Sequence, residues 1–311
     1  MTSKLAHTYS IIAIDPEAGE MGAAVQSHWF SVGSVVPWAE PGAGVVVTQS
    51  FVNPAFGPKG LEKLRMGISP SDIVSELTTE DEGRELRQLA ILNPSGEVEA
   101  FTGPRCIQQA GHLVGENYSV QANMMLRSTV WPAMARAFES TPGRLAERLV
   151  AALVAAEGEG GDFRGRQSAS LLVVRTRPTG KVWDDRLVDL RVEDHHEPVE
   201  ELSRLLKVHR AYEHMNRGDV ALEGGKVGEA LDEYSAAERL YPENEEMAYW
   251  TAVSLANSGQ LDDALPLFSK AFQRNPNWRD ATPQIAANGH LKVSPPELAT
   301  ILGLGRVASS E

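Results

Sequence analysis

Apolar and polar positions follow several rhythms along this chain, and each rhythm predicts a different kind of element. Over residues 8–26 (TYSIIAIDPEAGEMGAAVQ) two apolar runs, at 11–14 and 23–25, flank the turn-forming stretch DPEAG. This pattern predicts a β-hairpin with Thr8 at the mouth of its first strand. Residues 1–7 form a polar leader with little to bury. Runs rich in β-branched residues at 32–38 and 44–49 predict two further strands, broken at PGAG. Leu61 and Leu64 share one face of a helix over 58–66 that Gly67 is placed to cap. Ser69, Pro70 and Asp72 read as an N-cap, a first-turn proline and an acidic third position, ahead of the Ile73, Val74 and Leu77 stripe of a second helix.

Strands follow at 87–92 and 98–102 across the turn NPSG, and at 118–123. Val130, Met134 and Phe138 recur every four residues as one helix; Thr141-Pro142 opens another, with Leu145, Leu149, Val150 and Leu153 inward, and GEGG at 158–161 ends it. Residues 168–175 and 181–192 predict the last two strands, and 198–208 a helix leaving the domain. Strands, two helices, strands, two helices, strands is neither the alternation of a parallel α/β fold nor an all-β pattern. It predicts an α+β fold, a four-layer αββα sandwich of antiparallel sheets covered by paired helices, over residues 1–205.

Residues 206–311 are read as a separate, all-helical domain. Gly225, Ala230, Tyr234, Ala237 and Pro242 recur 34 residues later as Gly259, Ala264, Phe268, Ala271 and Pro276. Small residues where helices touch, an aromatic plug and a terminal proline at this period form the tetratricopeptide signature. His214 stands where a tryptophan is usual, although Gly218 is in place. About three repeats are normally needed for a stable stack, so the helix at 198–208 and residues 279–305 are expected to cap it, with Leu298, Ile301 and Leu302 in a short helix after Pro295-Pro296.

Composition narrows the function classes. The net charge of −13 argues against nucleic-acid and anionic-lipid partners. No apolar run approaches the roughly 18 residues of a membrane span, and MTSKLAHTYS lacks the apolar core of a secretion signal. Cys106 is the one cysteine, so there is no internal disulfide. A cytoplasmic protein is expected, and the exposed sheet edges suggest a homo-oligomer.

Several stretches carry a family likeness: 8–14, 35–38, 48–57, 121–123 and GGDFRGRQSAS at 160–170. Over roughly residues 8–205 the chain resembles the bacterial family catalogued as domain of unknown function 1028, grouped with the N-terminal-nucleophile hydrolases. That resemblance implies Thr8 as nucleophile and its own α-amine, freed by loss of the preceding peptide, as base. An α-amine titrates near pH 8, at about 7.7–8.0, and so is poised for general-base work. Backbone N–H groups and the Asn123 amide would form the oxyanion hole. Thr8 is internal, behind MTSKLAH, and must be uncovered first; no Lys or Arg occurs between residues 13 and 49 at a proteasome-like position. Threonine also suits the start of a strand for structural reasons alone, and Ser10 is the alternative nucleophile.

Asp162, Arg164, Arg166, Gln167, Ser168 and Ser170 form the densest polar cluster beside an apolar strand. An arginine there suits a substrate carboxylate, with Asp162 orienting it; an ion-paired connection explains the cluster equally well. Gln49, Ser50 and Asn53 end a strand and suit the same cleft, or a solvated turn. Cys106 with His112, and Asp194 with the adjacent His195 and His196, are weaker pairs. Histidines adjacent on a strand point opposite ways, and no second ligand pair has zinc spacing. No cofactor or metal is called for. The expected activity is hydrolysis of a small amide or peptide-like substrate, with an anionic group near Arg164 or Arg166. The alternative is a non-catalytic scaffold whose repeat region binds a peptide or protein.

Overall fold

A computed structural model describes residues 8–304 and the backbone of a strand at Lys4–Ala6. The rest of the leader and residue 305 of the last expected helical stretch lie outside the described residues. The chain divides into two compact units, Met1–Leu206 and Lys207–Glu311.

Eleven strands build the first unit among the described residues: β1 (Lys4–Ala6), β2 (Thr8–Asp15), β3 (Glu20–Ser27), β4 (Pro37–Glu40), β5 (Gly44–Val52), β6 (Arg87–Leu92), β7 (Val98–Thr102), β8 (Gly111–Gly115), β9 (Tyr118–Ala122), β10 (Ser168–Arg175) and β11 (Arg186–Val192). They form two antiparallel sheets. One has the order β11-β10-β3-β2-β9-β8; in the other, β5 pairs with β6, β6 with β7, and β1 and β4 pair with β5. The hairpin β2–β3 lies at the centre of the six-stranded sheet, with Thr8 opposite Ser27 and Asp15 opposite Glu20.

Side chains alternate faces along a strand, and in β2 both faces are buried, which is why its apolar run is continuous. Tyr9, Ile11 and Ala13 pack with α3 (Val130–Ser140) and α4 (Leu145–Gly158) through Val130, Met134, Leu149 and Leu153. Ile12 and Ile14 pack on the other face against Val45, Val47, Ala90 and Leu92 of β5 and β6. The far face of that second sheet, at Val46, Leu89 and Ile91, packs with α1 (Phe56–Arg65) and α2 (Pro70–Thr79). Three apolar layers therefore separate helices, sheet, sheet and helices. Gly57 sits directly beneath the Trp38 ring, where a Cβ would come within 2.3 Å of it. Ser69 caps α2 as its sequence predicts, accepting from the Asp72 N–H at 3.2 Å.

Several elements differ from the sequence expectation. Residues 32–38 do not form one strand: Val32–Ser34 is a single 3-10 turn after Ser31, whose φ is 59°, and the Val32 N–H donates to the Ser168 hydroxyl at 3.0 Å. Two strands carry no apolar run of their own. β8 is a Gly-flanked edge, and β1 falls inside the polar leader expected to have little to bury. The start of the 181–192 run is a short helix, α5 (Val182–Asp185), before β11. The helix after β11 continues as α6 (Pro198–Glu223), well past 208.

In the second unit, α7 (Val227–Leu240), α8 (Glu245–Asn257), α9 (Leu261–Arg274), α10 (Asn277–Ala287) and α11 (Pro295–Gly303) follow. The 34-residue spacing lands on equivalent places. Gly225 and Gly259 both have left-handed φ, at 72° and 79°. Ala230 and Ala264, Tyr234 and Phe268, and Ala237 and Ala271 are all buried. Gly218 lets Tyr234 lie against the backbone, since a Cβ there would be 2.5 Å from its ring. Tyr249 stacks on Trp278 at 4.4 Å and meets Phe268 edge-on at 5.5 Å.

One ion pair ties β6 to the turn before it and to β5. Arg87 donates to Asp81 at 2.7 Å and also to the Phe51 carbonyl, and Asp81 accepts from the Gly83 N–H at 2.9 Å. Burial works to raise the Asp81 carboxyl, but the Arg87 and Gly83 N–H groups outweigh it and hold it below its ordinary value. A depressed folded-state value stabilises the protein above the unfolded-state value, about 3.9. That contribution is lost as pH falls through the folded one. Asp81→Asn is expected to cost about 1–3 kcal/mol at pH 7 in urea unfolding, with the gap to the parent closing below about pH 4.

Candidate active site

Between the sheets the interior changes character along the strands. From Ile12 and Ile14 it is aliphatic; towards Thr8 the same inward positions become hydroxyls and amides. Thr8 and Ser10 of β2, Ser27 of β3, Gln49 of β5, Gln88 of β6, Ser119 and Gln121 of β9, Asn123, and Ser168 and Ser170 of β10 are all buried. Thr8, Ser27 and Ser168 lie in one row across three paired strands.

A continuous hydrogen-bond network joins the two sheets here. The Ser119 hydroxyl donates to Gln121 Oε1 at 3.0 Å, Gln121 Nε2 to Ser10 Oγ at 2.7 Å, and Ser10 Oγ to Gln49 Oε1 at 2.7 Å. Gln49 Nε2 donates to Gln88 Oε1 at 2.6 Å and to the Thr8 carbonyl at 3.3 Å. Gln88 Nε2 continues to Thr102 Oγ1 at 2.9 Å and to the Ala122 carbonyl at 3.0 Å. Asn123 closes the ring: its backbone N–H and Nδ2 donate to the Thr8 carbonyl at 3.0 and 3.3 Å, and Nδ2 also reaches Gln88 Oε1 at 2.9 Å. Three donors therefore fix the Thr8 carbonyl. Every group in this ring is neutral.

Two non-glycine residues beside this end of the interior occupy the left-handed region: Ser50 with φ 70° next to Gln49, and Met124 with φ 58° next to Asn123. Such backbone costs of order 1–3 kcal/mol and persists where the surroundings over-determine it. Here the residue before each is locked into the ring.

Of the residues singled out in the sequence, the structure brings together Thr8, Asn123, Gln49 and Ser168 on the inward face. Ser168 is held there by donating to the Trp29 carbonyl while accepting from Val32 N–H. Asp162 and Arg164 belong to a turn running beside the segment that follows Asn123: Leu126 N–H donates to the Gly161 carbonyl at 2.9 Å and Phe163 N–H to the Met124 carbonyl at 3.2 Å. The Arg164 guanidinium is paired with the buried Asp162 at 2.6 Å.

Arg166 and Gln167 lie elsewhere. Arg166 pairs with Glu157 and Glu197, and Glu157 accepts from the Tyr9 hydroxyl. Tyr9 faces the helices, so this chain sits on the opposite side of the sheet from Thr8. Burial raises the Glu157 carboxyl and, with Glu157 beside it, the Tyr9 phenol. Burial opposes the Arg166 charge, and the two carboxylates more than offset it. Gln167 donates to Asp194 at 3.1 Å at the surface. Asn53 accepts from the Ala55 N–H at 3.2 Å, shaping the turn into α1.

The weaker pairs do not form. Cys106 donates to the Arg87 carbonyl at 3.3 Å and burial raises its thiol, whereas His112 bonds Thr102 at 2.8 Å and burial lowers its imidazole. His195 and His196 lie in a loop with rings 4.3 Å apart, so the strand rule of opposite directions does not apply to them. Among the described residues no group of three His, Cys, Asp or Glu is placed to hold a metal ion, and no helix is long and apolar enough to cross a membrane.

Gln88, Gln121, Ser27 and Ser119 were not singled out in the sequence. Their signal is a polar residue at the inward phase of an apolar strand, as in RQLAIL and YSVQA. That phase is visible only once the pairing is known.

These features coincide with a known family. Residues 8–202 match the "Family of unknown function (DUF1028)", and the chain belongs to it. No curated protein matches the chain. Among solved structures it is similar to the protein SPO2555 from Silicibacter pomeroyi, itself of family DUF1028. The match has 33% identity and a TM-score of 0.58, covering 65% of this chain and 88% of that one. The matched region begins at Thr8, the first residue of the central hairpin.

Gln88→Leu keeps the volume but removes an acceptor shared by Gln49 and Asn123. It also removes the donor to Thr102 and to the Ala122 carbonyl, and each hydrogen bond lost contributes about 0.5–1.5 kcal/mol. The variant is expected to lose roughly 2–4 kcal/mol in urea unfolding, and an unchanged midpoint would show that the ring is not holding the sheets.

Proposed function

We propose that the first unit is an amide hydrolase of the N-terminal-nucleophile type, an αββα sandwich with Thr8 as nucleophile. One observation carries this reading. The inter-sheet interior turns from aliphatic to hydroxyl and amide where the central hairpin begins, and three donors from both sheets fix the carbonyl of the first residue there. Strand alignment alone would be served by any paired amides; that three donors converge on the carbonyl of one residue, the first of the hairpin, is what favours a site.

The chemistry runs in two stages. The bond between His7 and Thr8 is first hydrolysed, giving a leader that ends in the His7 carboxylate and a chain that begins with the free Thr8 amine. That amine then takes the hydroxyl proton as the Thr8 oxygen bonds to the substrate carbonyl carbon. The C–N bond breaks, the proton passes to the departing amine, and water hydrolyses the ester that remains. Asn123 and Gln49 act as positioning residues, fixing the Thr8 carbonyl and so the direction of its side chain. In the chain as described both bonds of Asn123 Nδ2 are committed to this task, so backbone N–H groups serve the oxyanion. Arg164 and Arg166 are not assigned a substrate anion, because each guanidinium is already answered by carboxylates and Arg166 is on the far face.

The second unit is read as a pair of tetratricopeptide-type repeats that present a short groove to a peptide or helix. A non-catalytic scaffold is the competing reading, and the pairing of β1 with β5 favours it for as long as the leader stays attached.

N-terminal sequencing and intact mass of the protein from its own host are expected to show a chain beginning at Thr8. That chain is expected to be acylated by p-nitrophenyl acetate at residue 8, with Thr8→Ala slower by about a thousand-fold or more. An intact leader, or acylation indifferent to Thr8→Ala, sinks the hydrolase reading.

A further inference from the structure

β5 has two edges, and they are used differently. One is paired with β6 from Val45 to Ser50. The other takes β4 from Gly44 to Val47 and then β1 at Ser50–Val52, where Ala6 stands opposite Ser50, Leu5 opposite Phe51 and Lys4 opposite Val52. From β1 the chain enters the other sheet at Thr8. The peptide on the acyl side of the His7–Thr8 bond is thus already an added strand on β5. It lies immediately after Gln49, whose side chain donates to the Thr8 carbonyl.

We propose that this site acts on peptides, and that the substrate's residues preceding the scissile bond add as a short antiparallel strand to β5 at Ser50–Val52, the place the leader holds before it is removed. This rests on Thr8 being the nucleophile. One hydroxyl must reach two carbonyls in turn, that of His7 and that of the substrate. Each is preceded by its own acyl chain, and the leader shows a path by which such a chain leaves the site. Loss of residues 1–7 removes the neighbouring strand from the β5 edge at Ser50–Val52, and β4 reaches only to Val47. An edge of unpaired N–H and C=O groups is a template for an incoming strand, through main-chain bonds that do not depend on its sequence. A small amide without a main chain would leave that edge open. The chemistry is the balanced hydrolysis given above: an ester forms at Thr8 as the peptide C–N bond breaks, and the amine fragment leaves with the proton.

The test uses two forms of the protein. In the full chain, the double variant Leu5→Pro, Ala6→Pro displaces β1 without removing a residue. The other form begins at Thr8, where the family match begins. Amide hydrogen exchange at residues 50–52 is followed with and without the synthetic peptide MTSKLAH, and with the same peptide N-methylated at its Leu and Ala. The unmodified peptide is expected to slow exchange at 50–52 at least ten-fold in both forms, and the N-methylated one to have no effect. Unchanged exchange with MTSKLAH overturns the proposal. In parallel, the chain beginning at Thr8 is acylated with the p-nitrophenyl esters of acetate and of acetyl-Lys-Leu-Ala. The peptide ester is expected to react at least a hundred-fold faster in kcat/KM. Equal rates overturn the peptide preference and leave Thr8 as the nucleophile. Slowed exchange without acylation by either ester overturns the nucleophile, and the substrate claim with it.

Discussion

The constraint on which the interior around Thr8 turns is that the amides carried into it must find partners. Gln49, Gln88, Gln121 and Asn123 each carry a donor and an acceptor into the space between two sheets, where water is excluded and an unpaired group is costly. They satisfy one another, and in doing so they fix the register of β5 and β6 against β2 and β9. A slip of one residue in any of these strands would carry its amide to the helix-covered face and its aliphatic neighbour into the ring. Aliphatic packing at Ile12 and Ile14 holds the sheets together; the amides decide how they are aligned.

Much of the architecture was legible in the sequence because burial on both faces leaves continuous apolar runs. β2, β6 and β10 follow directly from IIAI, QLAIL and SASLLVVR, and the capped start of α2 follows from SPSD. The elements that escaped are those whose stability is not their own. β8 and β1 are edge strands with no apolar stripe, held by the strand beside them. Residues 32–34 turn because the Ser168 hydroxyl claims their first N–H, a partner 136 positions away.

The site was legible only in part, for a similar reason. Thr8, Gln49, Asn123 and Ser168 were visible as polar residues at strand ends. The cluster from Asp162 to Ser170 looks like one feature in the sequence and is four in space, with Gln167 on Asp194 at the surface. Asp162 with Arg164 closes a turn on itself, Arg166 crosses to Glu157 and Glu197 on the far side of the sheet, and Ser168 faces inward. Sequence proximity carries no information about which side of a sheet a side chain takes once the chain leaves a turn, and the glycines at 160, 161 and 165 make this turn free to choose. Gln88 and Gln121 hid for the opposite reason, as single polar residues in apolar strands.

The two faces of the central sheet also differ in what holds them. Towards the helices, Glu157, Arg166 and Glu197 form a chain of charges, which the neutral Tyr9 hydroxyl joins as a donor. Towards the other sheet, no member of the ring around Thr8 carries one. Dissolved ions weaken attraction between charges and leave neutral hydrogen bonds almost untouched. The arrangement at Thr8 is therefore insulated from the ionic strength of its surroundings, while the scaffold behind it is not.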